Sequence, residues 1–201
     1  MENKPTRGSG FFEIFLSKER ARIADSLIPE NARDGRILDI GCGFYPYFLI
    51  RTRFEEKFGI DRLADGAYEN RLKEHYVAVF NFDLMGDDRI PFESDFFNIV
   101  TMLAVIEHIS FERGMAVLKE IRRVLKPGGK FILTTPAVWT KGLLSFLAKA
   151  NLVSPDEINE HKYHYSINTL GQLFLKAGFE PGTFRARNFE FFMNIWASAE
   201  K

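Results

Sequence analysis

The stretch Ile37-Leu38-Asp39-Ile40-Gly41-Cys42-Gly43-Phe44-Tyr45-Pro46-Tyr47-Phe48 decides the fold. Its apolar run predicts a buried strand near 36–40, and the two glycines predict a turn in which backbone can approach a ligand closely. Proline is compatible with the first position of a helix, where its missing N–H has no partner to lose, and it pushes Tyr45 into an extended conformation. Strand, glycine turn and helix together open an α/β sheet. A dinucleotide would ask for a third glycine where Pro46 stands, so the turn favours another ligand.

Outward from this stretch, short apolar runs predict further strands near 57–61, 77–82, 97–103 and 130–135, separated by segments with room for helices. That alternation implies a parallel sheet wrapped by helices on both faces. Residues 11–28 carry Phe12, Leu16, Ile23 and Leu27 on helical spacing up to Pro29, which predicts an amphipathic first helix. A helix near 111–126 turns Val117, Leu118, Ile121, Val124 and Leu125 inward and is ended by Pro127-Gly128-Gly129. Another starts at Ser166 as N-cap and ends at Gly178, which suits a left-handed position. Thr183 to Arg187 and Phe189 to Ala197, divided by Asn188, predict a terminal antiparallel pair.

The chain has 201 residues with 46% hydrophobic content, enough for one domain with a substantial core. Lys+Arg and Asp+Glu both number 27, and with no long basic block a nucleic-acid partner is not expected. The single cysteine, Cys42, excludes an internal disulfide, and the first residues lack the apolar core of a signal peptide, so a cytoplasmic protein is expected. The apolar cluster from Val138 to Val153 is interrupted by Lys141, Lys149 and Asn151, too polar for an integral membrane segment of ~20 residues.

Several residues carry candidate chemistry. Asp61 ends the second strand roughly 20 residues beyond the first glycine, where a carboxylate can accept both hydroxyls of a ribose. Asp83 with Leu84 follows the third strand, an acid beside an apolar residue that suits the amino group and face of adenine. Taken singly, both acids could be solvated strand ends. His108 is either a general base or a helix-start residue bonded to backbone, and Glu107 either an electrostatic aid or a surface residue. His161 and His164, with Glu157, could share a helix face, but no fourth ligand suggests itself and no metal is expected. Most of the 21 phenylalanines are expected in the core.

Asp39-Ile40-Gly41-Cys42-Gly43, then Glu107-His108, Leu125-Lys126-Pro127-Gly128-Gly129, His161-Lys162-Tyr163-His164-Tyr165-Ser166 and Ala177-Gly178-Phe179 stand in order. This set resembles the class I S-adenosylmethionine-dependent methyltransferases, particularly the branch acting on small molecules. The resemblance implies a Rossmann-like doubly wound seven-stranded, mostly parallel sheet with an antiparallel last strand. It implies a single methyltransferase domain over 1–201, with 1–28 as a helical cap and 137–165 as a lid-like insertion. It implies S-adenosyl-L-methionine as cofactor, bound by Asp39, Gly41, Cys42, Gly43, Asp61, Arg62, Asp83, Leu84, Leu103 and Ala104. The acceptor would be a small molecule, with His108 and His161 as candidate catalytic groups. Tyr45 departs from the small residue that the family commonly has there. A nicotinamide-dependent oxidoreductase is the first rival, although it leaves Leu-Lys-Pro-Gly-Gly unexplained. A non-catalytic binding or scaffolding member of the same fold is the second.

Overall fold

A computed structural model of the chain describes residues 11–62, 72, 74–137, 163, 165–190 and 193–201. Seven strands form one sheet: β1 (Arg36–Ile40), β2 (Glu56–Asp61), β3 (Val77–Asn81), β4 (Phe97–Leu103), β5 (Leu125–Pro136), β6 (Arg185–Phe189) and β7 (Asn194–Glu200). Their order is β3-β2-β1-β4-β5-β7-β6. The first five run parallel, and β7 runs antiparallel to both β5 and β6. The four main helices described are α1 (Phe11–Ser26), α2 (Tyr47–Arg51), α3 (Phe111–Val124) and α4 (Ile167–Ala177). The sheet is mostly parallel and Rossmann-like, with the one reversed strand placed last.

β1 lies between β2 and β4 and both of its faces are covered, so Ile37, Leu38 and Ile40 are buried apolar residues and Asp39 is a buried acid among them. Leu38 and Ile40 pack with Val100, Met102, Phe131 and Leu133 under α3 and α4. Ile37 packs with Ile99 and Ile132 on the opposite face, against Ala21, Ala24 and Ile28. The buried stripe of α1 therefore runs through small residues, whereas Ile23 and Leu27 are half-buried. Large apolar residues alone point to the wrong stripe, because Ala lets a helix lie close to a sheet.

The helix ends bear out part of the sequence reading. Ser110 caps α3 by accepting from the Arg113 N–H, and Ser166 caps α4 by accepting from the Thr169 N–H. Gly178 closes α4 with φ of 90°, taking bonds back to Leu175 and Phe174. α3 stops earlier than its apolar spacing suggests, at Val124, because Leu125 already pairs with Phe97 of β4. The Pro127-Gly128-Gly129 turn thus lies within the span of β5 and does not end the helix. β3 ends at Asn81, and Asn188 sits inside β6 opposite Ile195, so the terminal pair is divided at 190–193 instead. Pro46 is the N-cap of α2 and not its first residue.

Candidate functional site

Parallel strands in register must end together. Ile40 lies opposite Ile60 and Met102, Asp61 opposite Asn81, and Leu103 opposite Thr134. The segments leaving β1, β2, β3, β4 and β5 therefore share one edge, the carboxyl edge where open sheets place ligands.

Gly41 has φ of 71° and donates its N–H to Ile60 O at 2.8 Å. A Cβ there would stand 2.4 Å from Val105 Cγ2, so the turn after β4 closes directly onto this glycine. Gly43 also has a positive φ, 72°, but a Cβ there would meet nothing within 4 Å. One glycine is required by packing and the other leaves open space above the turn. The Gly43 N–H donates to Asp61 Oδ2 at 2.9 Å, which binds the end of β2 to the turn.

Asp39 is buried beneath the turn and accepts from Thr101 Oγ1 at 2.6 Å. Burial pushes its carboxyl up to about 7; the Thr101 hydrogen bond opposes this and Asp61 adds to it. Cys42 is buried too, and burial, reinforced by Asp39 and Asp61, pushes its thiol well above the ordinary range. The thiol is therefore held in its protonated form, and its Sγ would stand 2.7 Å from a Cβ at Gly59. Asp61 is also buried, not a solvated strand end.

Asp83 stands in the turn after β3, where its Oδ1 accepts from Met85 N at 3.0 Å. Leu84 packs against the core, and its carbonyl accepts from Arg113 Nε at 2.7 Å. Arg113 also donates to the Asp87 carbonyl and reaches Asp88 Oδ1 at 3.1 Å, so α3 holds the whole turn. Arg62 is exposed beyond β2, its carbonyl accepting from Asn81 Nδ2 at 3.1 Å. Leu103 and Ala104 are half-buried at the end of β4, with Ala104 at φ of 57° and its N–H on Thr134 O at 2.9 Å.

Beyond Ala104, Glu107 is 1% exposed and so is no surface residue. Its Oε2 accepts from Thr135 Oγ1 at 3.1 Å. His108 follows in the same 3-10 turn, half-buried, its N–H on Val105 O at 3.0 Å. Tyr165 is buried alongside and forms a bridge with Ala137, while the Tyr163 N–H donates to the Glu107 carbonyl at 3.1 Å. His161, His164 and Glu157 lie outside the described residues, as does 138–162, the greater part of the expected lid. Among the described residues no group of three His, Cys, Asp or Glu is placed to hold a metal.

The donor set fits a cationic adenosyl cofactor better than a dinucleotide. Two buried acids stand at the open Gly43 turn, Asp39 beneath it and Asp61 bonded to its N–H, and a pyrophosphate brought to that turn would oppose the ionisation of both. α2 is one short turn with no side-chain cap, a weak anion site. A sulfonium with an ammonium group would instead favour the charged form of both acids.

The family model described as methyltransferase domain matches residues 12–182. The chain belongs to that family. Its fold is that of the class I enzymes, whose cofactor is S-adenosyl-L-methionine. A solved Thermotoga maritima S-adenosylmethionine-dependent methyltransferase, a possible histamine N-methyltransferase, superposes with TM-score 0.65 at 18% identity, covering 90% of this chain and 87% of that one. The Haemonchus contortus phosphoethanolamine N-methyltransferase 2 in complex with S-adenosyl-L-methionine gives TM-score 0.67 at 17% identity, over 92% of this chain and 52% of that one. By sequence, a tRNA U34 carboxymethyltransferase of Campylobacter curvus is 27% identical over 147 residues, 69% of this chain and 49% of that protein. The chain spans about half the length of the curated relatives it matches. With a tRNA-directed relative among them, charge balance does not exclude a nucleic-acid acceptor. Among the described residues no helix is long and apolar enough to cross a membrane.

Thr101, Val105, Arg113 and Thr135 escape the sequence reading. The threonines carry a signal, being polar residues inside apolar strands, where a hydroxyl has to find a partner. Arg113 carries none, since a charged residue on an amphipathic helix reads as solvated.

Proposed function

We infer that the protein transfers a methyl group from S-adenosyl-L-methionine to a small-molecule acceptor. The observation that carries this is the pair of buried carboxylates, Asp39 and Asp61, beside the open turn at Gly43. In this reading Gly41, Cys42 and Gly43 pass under the methionine part, Asp61 holds the ribose, and Asp83 with Leu84 meets adenine. Leu103 and Ala104 lie beside the sulfonium, and Arg62 flanks the ribose side. The cofactor supplies an electrophilic methyl group for in-line displacement. The chain's own contribution is to hold donor and acceptor at near-attack distance, worth ~7 to 11 kcal/mol in favourable intramolecular models. An oxygen nucleophile would draw on His108 or His161 as base, and a carbon or sulfur nucleophile need not.

A formal net charge of zero over the sequence supports a small acceptor over a polyanion. The same reading takes 1–201 as one cytoplasmic methyltransferase domain, with 1–28 as a cap and 137–165 as a lid over the acceptor. Calorimetric titration with S-adenosyl-L-methionine is the test. Asp61→Ala is expected to weaken binding about tenfold or more, since a hydrogen bond to a charged group is worth roughly 1.5 to 3 kcal/mol. Asp61→Asn keeps an oxygen for the Gly43 N–H and isolates the charge. Equal affinity in folded wild type and Asp61→Ala would sink the assignment.

A further inference from the structure

Among the described residues, Glu107 is the one buried carboxylate at the carboxyl edge that the cofactor reading leaves unused. Its Oε2 is fixed by Thr135, while Oε1, fully buried, has no hydrogen-bond partner among those residues. A buried polar atom left unpaired is costly, so such an atom in a native fold calls for an explanation. Position supplies one here. Glu107 lies just past Ala104, where the methyl group would be delivered, and beside Thr135 at the end of the neighbouring strand. The backbone around it is fixed by the Tyr163 N–H on its carbonyl, by Tyr165 O–H on Ile109 O at 3.3 Å and by the Ala137–Tyr165 bridge. Burial holds the Glu107 carboxyl above its ordinary range, against the opposing charges of His108 and Arg20. A carboxylate so placed is a stronger base than one in water.

We propose that Glu107 binds the methyl acceptor through Oε1 and that the acceptor atom is an amine nitrogen bearing hydrogen. This rests on the methyl-transfer reading above and narrows it. An aliphatic amine arrives as its ammonium ion, paired with Glu107; one N–H proton passes to Oε1 and on to solvent, which frees the nitrogen lone pair. The lone pair then forms the N–CH3 bond, and the S–CH3 bond breaks with its electron pair remaining on sulfur. The positive charge passes from sulfur to a nitrogen already beside the carboxylate, and the methylated product leaves as an ammonium ion. Nitrogen fits better than an aliphatic hydroxyl, because an ammonium offers the carboxylate opposite charge as well as an N–H donor, and better than carbon, which presents no such donor in its ground state.

The experiment uses the full chain with a panel of ethanolamine, benzylamine and putrescine, and benzyl alcohol as the matched hydroxyl. Wild type is expected to N-methylate a panel amine, with the position of the methyl group read by mass spectrometry, and to leave benzyl alcohol unchanged. Glu107→Gln is expected to bind S-adenosyl-L-methionine within about twofold of wild type. It should bind the methylated panel amine at least about tenfold more weakly in the presence of S-adenosylhomocysteine, and turn it over about a hundredfold or more slowly. Thr135→Val keeps the carboxylate but releases Oε2, so it should raise KM for the amine more than it lowers kcat. That variant carries the test if Glu107→Gln does not fold, and an unchanged KM in it overturns the proposal. If wild type fails to bind S-adenosyl-L-methionine, the methyl-transfer reading falls and this proposal with it. If it binds but methylates no panel amine, or if Glu107→Gln binds and turns over the amine as wild type does, this proposal alone falls.

Discussion

Thr101 Oγ1 lies 2.6 Å from Asp39 Oδ1, a hydrogen bond between the two central strands directly beneath the glycine turn. It is the described side-chain partner of a carboxyl that burial raises from 3.8 to about 7. The folded protein therefore holds a proton that the unfolded chain releases near 3.8. The stability from holding it is complete below that value and is lost as pH rises toward about 7, an effect of roughly 4 kcal/mol. Asp39→Asn is expected to unfold at higher denaturant concentration than wild type at pH 8, with the difference shrinking toward pH 4. A cationic cofactor should draw Asp39 toward its charged form, so binding at pH 6 should release protons from wild type but not through position 39 in Asp39→Asn. Calorimetry in buffers of different ionisation enthalpy measures this.

Gly41 and Gly43 share a left-handed backbone but differ in surroundings, which separates folding from binding. Gly41→Ala adds a clash with Val105 to the backbone strain and should cost more than 2 kcal/mol, with part recovered in Gly41→Ala/Val105→Ala. Gly43→Ala meets no atom, so its cost to the free protein is the strain alone, about 1 kcal/mol. Its side chain would occupy the space above the turn, so cofactor affinity should fall by more than tenfold. Thermal unfolding of the free variants and titration with S-adenosyl-L-methionine give the two numbers. Loss of affinity no greater in Gly43→Ala than in Gly41→Ala would remove Gly43 from the site.

The contrast between these glycines also marks what the sequence makes legible. Strand positions follow from apolar runs because a strand buried on both faces, such as β1, is apolar along most of its length, with Asp39 as its one buried acid. The turn and the acid at Asp61 were readable because strand ends in a parallel sheet fall at one edge. The division of β6 from β7 was not, because Asn188 is a turn former that here takes a place on an edge strand. Nor was the burial of Glu107. Its neighbours Ile106 and His108 would read equally well on a surface turn, and its hydrogen-bond partner Thr135 is distant in sequence.

Arg113 anchors the turn that follows β3. It donates to the carbonyls of Leu84 and Asp87 and reaches Asp88, so Arg113→Ala leaves two backbone acceptors without their donor. A destabilisation of about 2 kcal/mol is expected. If Asp83 and Leu84 contact adenine, affinity for S-adenosyl-L-methionine should drop several-fold, while affinity for free methionine, which needs no adenine contact, should not change. Arg113→Lys can satisfy one carbonyl and should recover part of both losses. An equal loss for the two ligands would show that Arg113 acts on the fold alone.

The role of α1 divides along its length. Ala21 and Ala24 are buried against Ile37, Ile99 and Ile132. Its last turn is held by Arg33, which is bidentate to the Asp25 carboxylate at 3.0 and 3.2 Å and also reaches Thr52 Oγ1 at 3.3 Å. Thr52 in turn donates to Asp25 Oδ1 at 2.6 Å, tying the helix to the end of α2. Phe15, nearer the start of the helix, is 52% exposed. A helix that was only a movable cap would not be fixed in this way, so deleting 1–28 is expected to destabilise the whole protein by several kcal/mol. Arg33→Ala should cost about 2 to 3 kcal/mol, since it leaves a partly buried carboxylate without its charged partner. Phe15→Ser should leave stability within about 0.5 kcal/mol. If the start of α1 covers the acceptor, Phe15→Ser should raise KM for the acceptor without changing cofactor affinity. Hydrogen exchange distinguishes the halves: amides of 21–26 should be protected with or without ligand, and those of 15–18 should gain protection on binding. Strong, ligand-independent protection at 15–18 would assign the whole helix to the core.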